Sequence, residues 1–280
     1  PAWPAGDAAC HVAVEPSGRF LVVCCWGDGQ VLFYGLDADG GIVGRTAGVE
    51  SRDPYGEAPD GGSSEGEKRP SRAHAALMLA DGRVMTTDLG HDQLRIWNVR
   101  SGPGLALGPA LDHEVVLPQG SGPRHLVQHP GGHVFVVTEY SIEVAVAGLS
   151  PDSGDFLLGF VGPATAGGAQ PEDSAAEIAL APDGRHAYVG VRGSNRICVL
   201  EVEAGGVALR PVADIPSGGD WPRHHLVRDG MLHVAHERSG DVVTFRLDAA
   251  SGLPRIPADR LPVDSPTALV PARAWPTPGE

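Results

Sequence analysis

The chain has 280 residues, of which 42% are hydrophobic, so it is long enough and apolar enough to bury a sizeable core. Its 21 Lys and Arg stand against 35 Asp and Glu, and the formal charge of -14 disfavours binding to nucleic acid or to anionic membrane surfaces. No apolar run approaches the roughly 20 residues that cross a bilayer. We therefore expect no nucleic-acid partner and no membrane partner, and any anionic ligand must be held by a local cluster of positive charge.

The four cysteines are too few for a disulfide scaffold, and Cys24 and Cys25 are adjacent, so they do not readily bridge each other. We interpret the cysteines as buried free thiols and expect a reducing, cytoplasmic location. The sequence leaves open the true N-terminus, a removed signal peptide and the oligomeric state.

Five segments of the chain repeat one pattern, in which a short apolar run, a Gly-centred turn, a β-branched and aromatic run, a second polar turn and a third run follow one another. The segments begin at His11, His74, His125, Glu177 and His224. Their turn glycines recur about every 50 residues, apart from a longer first interval that contains a polar Gly/Pro/Ser-rich stretch at 50–71. We expect antiparallel hairpins in the repeats and an exposed loop at 50–71.

A repeat of this length with three or four strands is typical of a β-propeller blade. The predicted fold class is therefore all-β, a β-propeller with about five complete blades visible in this chain. The strand that begins each repeat should line the central channel, so that the motif Pro-Arg-His, at 123–125 and again at 222–224, faces the channel mouth. "DSPTALVPA" at 264–272 is interpreted as the first strand of a further blade whose other strands are absent.

From about residue 8 to residue 272 the sequence resembles the seven-bladed propeller lactonases, a family that includes bacterial 6-phosphogluconolactonase and the fungal carboxy-muconate cyclase. The resemblance rests on "CHVAVEPSGRFLVV", "GSGPRHLVQHP", "VVTEY", "SAAEIALAPDGRHAYVGVRG" and "WPRHHLV", in this order. Members of the family have further sequence before the segment that matches "CHVAVEP". The resemblance therefore implies one propeller domain over 1–280 that lacks its first blade and the N-terminal part of the closing blade.

The resemblance also implies a set of site residues at the channel mouth. In muconate-cyclizing members catalysis is associated with one His, two Arg and one Glu, which fall in this chain on His74, Arg124, Glu139 and Arg192. Four further residues are expected to bind substrate there, namely His125, Glu177, Arg223 and His224. The chain departs from the family at 72–75, where Arg-Ala-His-Ala replaces His-Ala-His-Ser, at Thr138, which replaces Asn, and at 24–27, where "CCWG" replaces "ANYG". These departures bear on which substrate the chain binds more than on its fold.

Opening of a lactone needs a base that activates water near neutral pH and positive charge that stabilises the developing oxyanion. Glu139 and His74 are the candidate bases. Arg124, Arg192 and Arg223 are suited to hold the carboxylate or phosphate of a sugar acid through bidentate contacts. No HExxH motif, paired-Cys motif or Asp-rich calcium loop is present, so we expect no metal and no cofactor.

The sequence therefore predicts metal-independent hydrolysis of a small anionic sugar-acid lactone, with 6-phosphogluconolactone as the favoured substrate. Two alternatives remain open. A cycloisomerase of the muconate type would use the same base and arginines to move a proton. A non-catalytic propeller would instead present its face to a protein partner.

Overall fold

The computed structural model describes residues 2–56, 69–101 and 107–271. Over these residues the chain forms twenty β-strands and no helix, and the strands make five antiparallel sheets of four strands, one for each predicted repeat. Within these ranges there is accordingly no helix with the length and apolarity needed to cross a membrane. The all-β, bladed architecture predicted from the sequence is confirmed.

The five sheets are numbered as blades in chain order. Blade 1 contains β1 (Ala9–Val14), β2 (Phe20–Cys25), β3 (Val31–Leu36) and β4 (Ile42–Ala47). Blade 2 contains β5 (Ala73–Met78), β6 (Val84–Asp88), β7 (Gln93–Ser101) and β8 (Leu107–Val116). Blade 3 contains β9 (Pro123–Gln128), β10 (Val134–Thr138), β11 (Glu143–Leu149) and β12 (Phe156–Pro163). Blade 4 contains β13 (Ser174–Leu180), β14 (His186–Arg192), β15 (Arg196–Glu203) and β16 (Ala208–Pro216). Blade 5 contains β17 (Pro222–Arg228), β18 (Met231–His236), β19 (Asp241–Leu247) and β20 (Pro254–Pro262).

The repeated glycines lie in the turn between the first and second strands of each blade. All five have positive φ, between 72° and 93°, at Gly18, Gly82, Gly132, Gly184 and Gly230. In the first blade the glycine N–H donates to the carbonyl of Glu15, three residues earlier, and closes a β-turn. A residue with a Cβ is strained in this left-handed region by about 1–2 kcal/mol, which explains why the repeat is visible in the sequence as a glycine period.

The core lies mainly between neighbouring blades. Phe33 of blade 1 packs edge-on against Trp97 of blade 2, with ring centroids 5.6 Å apart, and both rings are fully buried. Three further apolar clusters join blades 2 and 3, blades 3 and 4, and blades 4 and 5. Burial between blades therefore fixes their order and holds the innermost strands side by side.

The innermost strands β1, β5, β9, β13 and β17 contact one another in this order. No contact of similar extent joins β17 back to β1, and Val12 and Val14 of β1 are 58% and 55% exposed, so the ring of described residues is open between blades 5 and 1. Residues 264–271, expected to be a strand, form none, because no neighbouring strand pairs with them. That the chain lacks further blades stays a prediction.

The predicted loop at 50–71 falls partly outside the described residues, which stop at 56 and resume at 69. The described flanks are anchored rather than fully exposed. The Arg69 guanidinium pairs with the carboxylates of Asp53 and Asp92, and the Tyr55 hydroxyl donates to the carbonyl of Leu117. Both ends of the insertion are thereby fixed to blade 2.

Candidate active site

Each innermost strand carries a β-bulge close to its first residue. In β9 the bulge leaves two consecutive residues, Arg124 and His125, opposite a single residue of β10. The register of each hairpin gives the equivalent pairs as Cys10 with His11, His74 with Ala75, Arg124 with His125, Ala176 with Glu177, and Arg223 with His224. A bulge breaks the strict alternation of a strand and re-aims the side chains beside it. It therefore accounts for two polar residues in succession at the channel mouth.

Glu139, directly after β10, joins two arginines from different blades. Its carboxylate lies 2.8 Å from Arg124 Nε and 3.0 Å from Arg192 Nη2, and it accepts a hydrogen bond from Ser174 Oγ at 3.2 Å. Arg124 Nη1 also donates to the carbonyl of Ala176 at 2.7 Å. Both guanidinium groups are buried. The arrangement fixes both arginines against the same carboxylate.

Around Glu139 the positive charge is only partly compensated, because two buried guanidinium groups face one carboxylate. The second carboxylate of the hub, Glu177, bonds imidazoles instead. Desolvation, together with the charge of Arg192, lowers the pKa of Arg124 to about 10, so the group remains protonated at neutral pH. Partly compensated guanidinium groups away from bulk water are suited to bind an anion or to stabilise an oxyanion.

Glu177, from blade 4, joins two imidazoles. His125 Nδ1 is hydrogen-bonded to Glu177 Oε2, and His224 Nε2 lies 3.3 Å from the same oxygen. The rings of His74 and His11 pack edge-on against the His125 ring, with centroids 5.1 and 5.4 Å away. Four imidazoles from blades 1, 2, 3 and 5 thus form one cluster centred on His125, and two of them lie beside the carboxylate of Glu177.

Burial keeps these imidazoles neutral. Desolvation, reinforced by the charge of Arg124, lowers the pKa of both His74 and His125 well below the ordinary value of 6.5. Desolvation and the neighbouring His125 lower the pKa of His11 to about 4. His74 Nδ1 is buried and has no hydrogen-bond partner among the described residues. At neutral pH the cluster is therefore uncharged and able to accept a proton.

The residues that the sequence predicted for the site meet at the hub, with one difference. Seven of them form the two connected groups around Glu139 and Glu177. Arg223 instead pairs with Glu237 at 3.0 Å and keeps a third of its side chain exposed, so it acts on the hub through its charge. The roles assigned to these residues stay predictions.

Sequence reasoning missed His11 and Ser174. His11 begins the first repeat as His125 and His224 begin theirs, so an alignment of the five repeats would have found it. Ser174, which donates to Glu139, carries no such signal, because its place beside the carboxylate depends on how blade 4 packs against blade 3.

The prediction that all the cysteines are buried is wrong for Cys10. All four thiols are free, but Cys10 is exposed, whereas Cys24, Cys25 and Cys198 are buried. Cys10 is the extra residue of the bulge in β1, and its Sγ lies 3.3 Å from the carbonyl oxygen of His74. The same bulge that places His11 therefore brings this thiol to the channel mouth.

One group of three described side chains has the spacing of metal ligands, and it does not lie at the hub. It consists of Asp112, His113 and Asp155, on or beside the outermost strands β8 and β12. At the hub, the carboxylate of Glu139 is already paired with guanidinium groups and that of Glu177 with imidazoles. We find no reason to assign the outer group a part in the hub chemistry.

A ring of four-stranded blades with a polar site at its hub defines the class of protein as a β-propeller. Residues 3–271 match the family described as "Lactonase, 7-bladed beta-propeller". The chain belongs to this family.

Named relatives are similar over most of this chain. A 6-phosphogluconolactonase of Bacillus subtilis is 28% identical over 252 residues, which are 88% of this chain and 68% of the relative. A 6-phosphogluconolactonase of Formosa agariphila is 25% identical and covers 91% of this chain and 71% of its own. The solved periplasmic gluconolactonase of Pseudomonas aeruginosa has a TM-score of 0.78 at 25% identity and covers 92% of this chain and 71% of its own. Because that neighbour is periplasmic, a cytoplasmic location for this chain stays a prediction.

Proposed function

We propose that this chain hydrolyses a sugar-acid lactone at the hub, with 6-phosphogluconolactone as the substrate and without a metal ion. Similarity to two 6-phosphogluconolactonases and to a gluconolactonase supports the reaction class. The observation that carries the proposal is the sharing of one carboxylate by two buried guanidinium groups beside a cluster of neutral imidazoles. This combination supplies both the positive charge and the proton acceptor that lactone hydrolysis requires.

In the proposed reaction, the oxygen of a water molecule forms a bond to the lactone carbonyl carbon, and the carbonyl electrons move onto oxygen. Arg124 and Arg192 stabilise this oxyanion. The attacking water gives one proton to a base of the hub. The intermediate then collapses, the bond between the carbonyl carbon and the ring oxygen breaks, and that proton passes to the ring oxygen. The carboxylic acid formed releases its remaining proton to solvent. The product is an open-chain hydroxy acid, whose carboxylate balances the charge of the arginines. Arg223 pairs with Glu237 and is a third exposed, and it would bind the substrate's phosphate through the remaining N–H groups of its guanidinium.

The two candidate bases differ in their surroundings. The two oxygens of Glu139 lie 2.8 Å from Arg124 Nε and 3.0 Å from Arg192 Nη2, so this carboxylate is engaged with the two arginines. His74 makes no ion pair with a carboxylate and is neutral. We therefore propose that Glu139 positions the arginines, and that a neutral imidazole of the cluster, rather than Glu139, accepts the proton of the attacking water.

A substrate panel tests the proposal. The chain is assayed with 6-phosphogluconolactone, gluconolactone and a muconate, each with and without EDTA, after subtraction of the uncatalysed rate. We expect turnover of the phosphorylated lactone that is unchanged by EDTA. Its kcat/KM should exceed that for gluconolactone, because Arg223 can contact the phosphate. Loss of activity in EDTA would overturn metal independence. Turnover of the muconate alone would identify a cycloisomerase, and no turnover of any compound would favour a non-catalytic binding module.

A further inference from the structure

We propose that His125, held by Glu177, is the base that removes the proton from the attacking water. The inference rests on the proposed lactone hydrolysis and adds to it a catalytic residue, His125, and a positioning residue, Glu177. It assigns the central imidazole of the cluster a role in chemistry rather than in substrate binding alone.

The hydrogen-bond network fixes where each ring carries its proton. His224 Nδ1 accepts the backbone N–H of Leu269 at 3.3 Å, so the neutral ring carries its proton on Nε2, which points at Glu177 Oε2. His125 Nδ1 is hydrogen-bonded to the same carboxylate oxygen, and an ionised carboxylate only accepts. His125 therefore carries its proton on Nδ1. This leaves the lone pair of Nε2 free to accept a proton.

The imidazole of His125 is partly exposed. The imidazole retains 12% of its side-chain surface exposed, and Nε2 has no hydrogen-bond partner within the described ranges. The ring is the central one of the cluster, in edge contact with His11, His74 and His224. Arg124, the proposed oxyanion-stabilising group, is the residue before His125 in the same bulge, so the base and this group come from adjacent residues.

Glu177 gives His125 an advantage that His74 and His11 lack, while His224, which also faces Glu177, has its other nitrogen occupied by the N–H of Leu269. A base that takes a proton becomes an imidazolium, and the carboxylate bonded to Nδ1 stabilises this charge and holds the ring in one orientation. His74 has no carboxylate partner and its Nδ1 is unsatisfied. His11 accepts the N–H of Ala76 at 3.3 Å through Nδ1 and likewise bonds no carboxylate.

The proton balance is complete with one imidazole. An O–H bond of water breaks, its proton moves to His125 Nε2, and the oxygen bonds to the carbonyl carbon. When the tetrahedral intermediate collapses, the proton leaves Nε2 for the ring oxygen, and the bond between that oxygen and the carbonyl carbon breaks. The imidazole is returned to its neutral state.

Steady-state kinetics of lactone hydrolysis test the role of His125. In His125→Gln we expect kcat to fall at least about 100-fold while KM changes by less than about threefold, because a general base acts on the chemical step. His233→Gln is the matched control, since His233 is a half-buried strand histidine of blade 5 that bonds Thr244 and lies outside the hub. A kcat of His125→Gln within threefold of wild type would overturn the inference. If this variant does not fold, the fallback is to add imidazole to His125→Ala. Restored turnover would support His125 as the base, and no restored turnover would overturn this assignment.

A pH profile separates positioning from a purely structural role for Glu177. A neighbouring carboxylate favours the imidazolium, so Glu177→Gln should lower the pKa of His125 further and shift the acidic limb of kcat to lower pH, with a lower plateau. An unshifted limb would contradict the role of Glu177. The variant Arg124→Gln distinguishes a failure of the proposed lactone hydrolysis from a failure of the assignment of His125 as its base. If it abolishes turnover and His125→Gln does not, only the assignment of the base fails; a wild-type chain without lactone turnover would refute both.

Discussion

Glu139 receives two arginine side chains from different strands, and this contact compensates part of their positive charge. The motif at 137–140 identified Glu139 from the sequence, but only as a candidate base. Its ion pairs were not predictable, because Arg192 and Ser174 reach the carboxylate from another blade. The motif therefore located Glu139. Its role in holding two arginines became evident only from the packing of blade 3 against blade 4.

Replacing Glu139 by Gln should destabilise the chain. The substitution leaves two buried guanidinium groups facing each other without a carboxylate, which we expect to lower the free energy of unfolding by about 2 kcal/mol. Urea unfolding measures this value. Glu203→Gln, at an exposed carboxylate paired with Arg210, is the control and should cost less than about 1 kcal/mol. Equal effects of the two substitutions would contradict the account.

The β-bulge is the structural element that makes the site. The sequence predicted hairpins from the repeated glycines and placed polar residues at the strand starts, and both features are present. It did not predict the bulges, although consecutive polar residues such as Arg124 and His125 break the alternation of a strand. Only the cross-strand register shows that two residues oppose one, so the common direction of these side chains had to come from the structure.

Asp92 connects the turn after β6 to the segment that leads into β9. Its carboxylate accepts the N–H groups of Gly120 and Gly122, each at 2.8 Å, and pairs with Arg69. Asp92→Asn keeps a residue that tolerates the observed φ of 54° but removes the charge. We expect it to lower the free energy of unfolding by about 1–3 kcal/mol and to reduce kcat/KM, because the same segment carries Arg124.

Asp81→Asn is a suitable control for this measurement, because Asp81 is exposed and lies in the turn between β5 and β6. Thermal or urea unfolding and lactone turnover are compared for both variants. An effect of Asp92→Asn no larger than that of Asp81→Asn would remove the proposed link between this turn and the site.

At the scale of the whole molecule, the period of about 50 residues was sufficient to predict blades and their order. The family resemblance added the expectation of a larger ring, and the open edge between blades 5 and 1 agrees with it. What the sequence did not indicate is the number of neutral imidazoles that converge at the hub. His11 lies far from His224 in the chain, and only the circular arrangement brings the two near His125.

This cluster should make the fold sensitive to mild acid. The pKa values of His11 and His225 fall to about 4, and those of His74 and His125 lie well below 6.5, all because of desolvation. Between pH 6.5 and 4 the unfolded chain therefore binds more protons than the folded chain, and the free energy of unfolding falls as the pH falls. Melting temperatures measured across this range should decrease, and His225→Gln should reduce the slope. A flat profile would contradict the burial of these groups.

The central claim is that the two arginines at the hub act on the carbonyl group of a lactone. The most direct measurement is kcat/KM for 6-phosphogluconolactone in Arg124→Gln relative to wild type, with Arg185→Gln, a surface arginine of blade 4, as the control. We predict a loss of about 100-fold or more in the first variant and none in the control. A value for Arg124→Gln within threefold of wild type, in a folded protein, would contradict the claim.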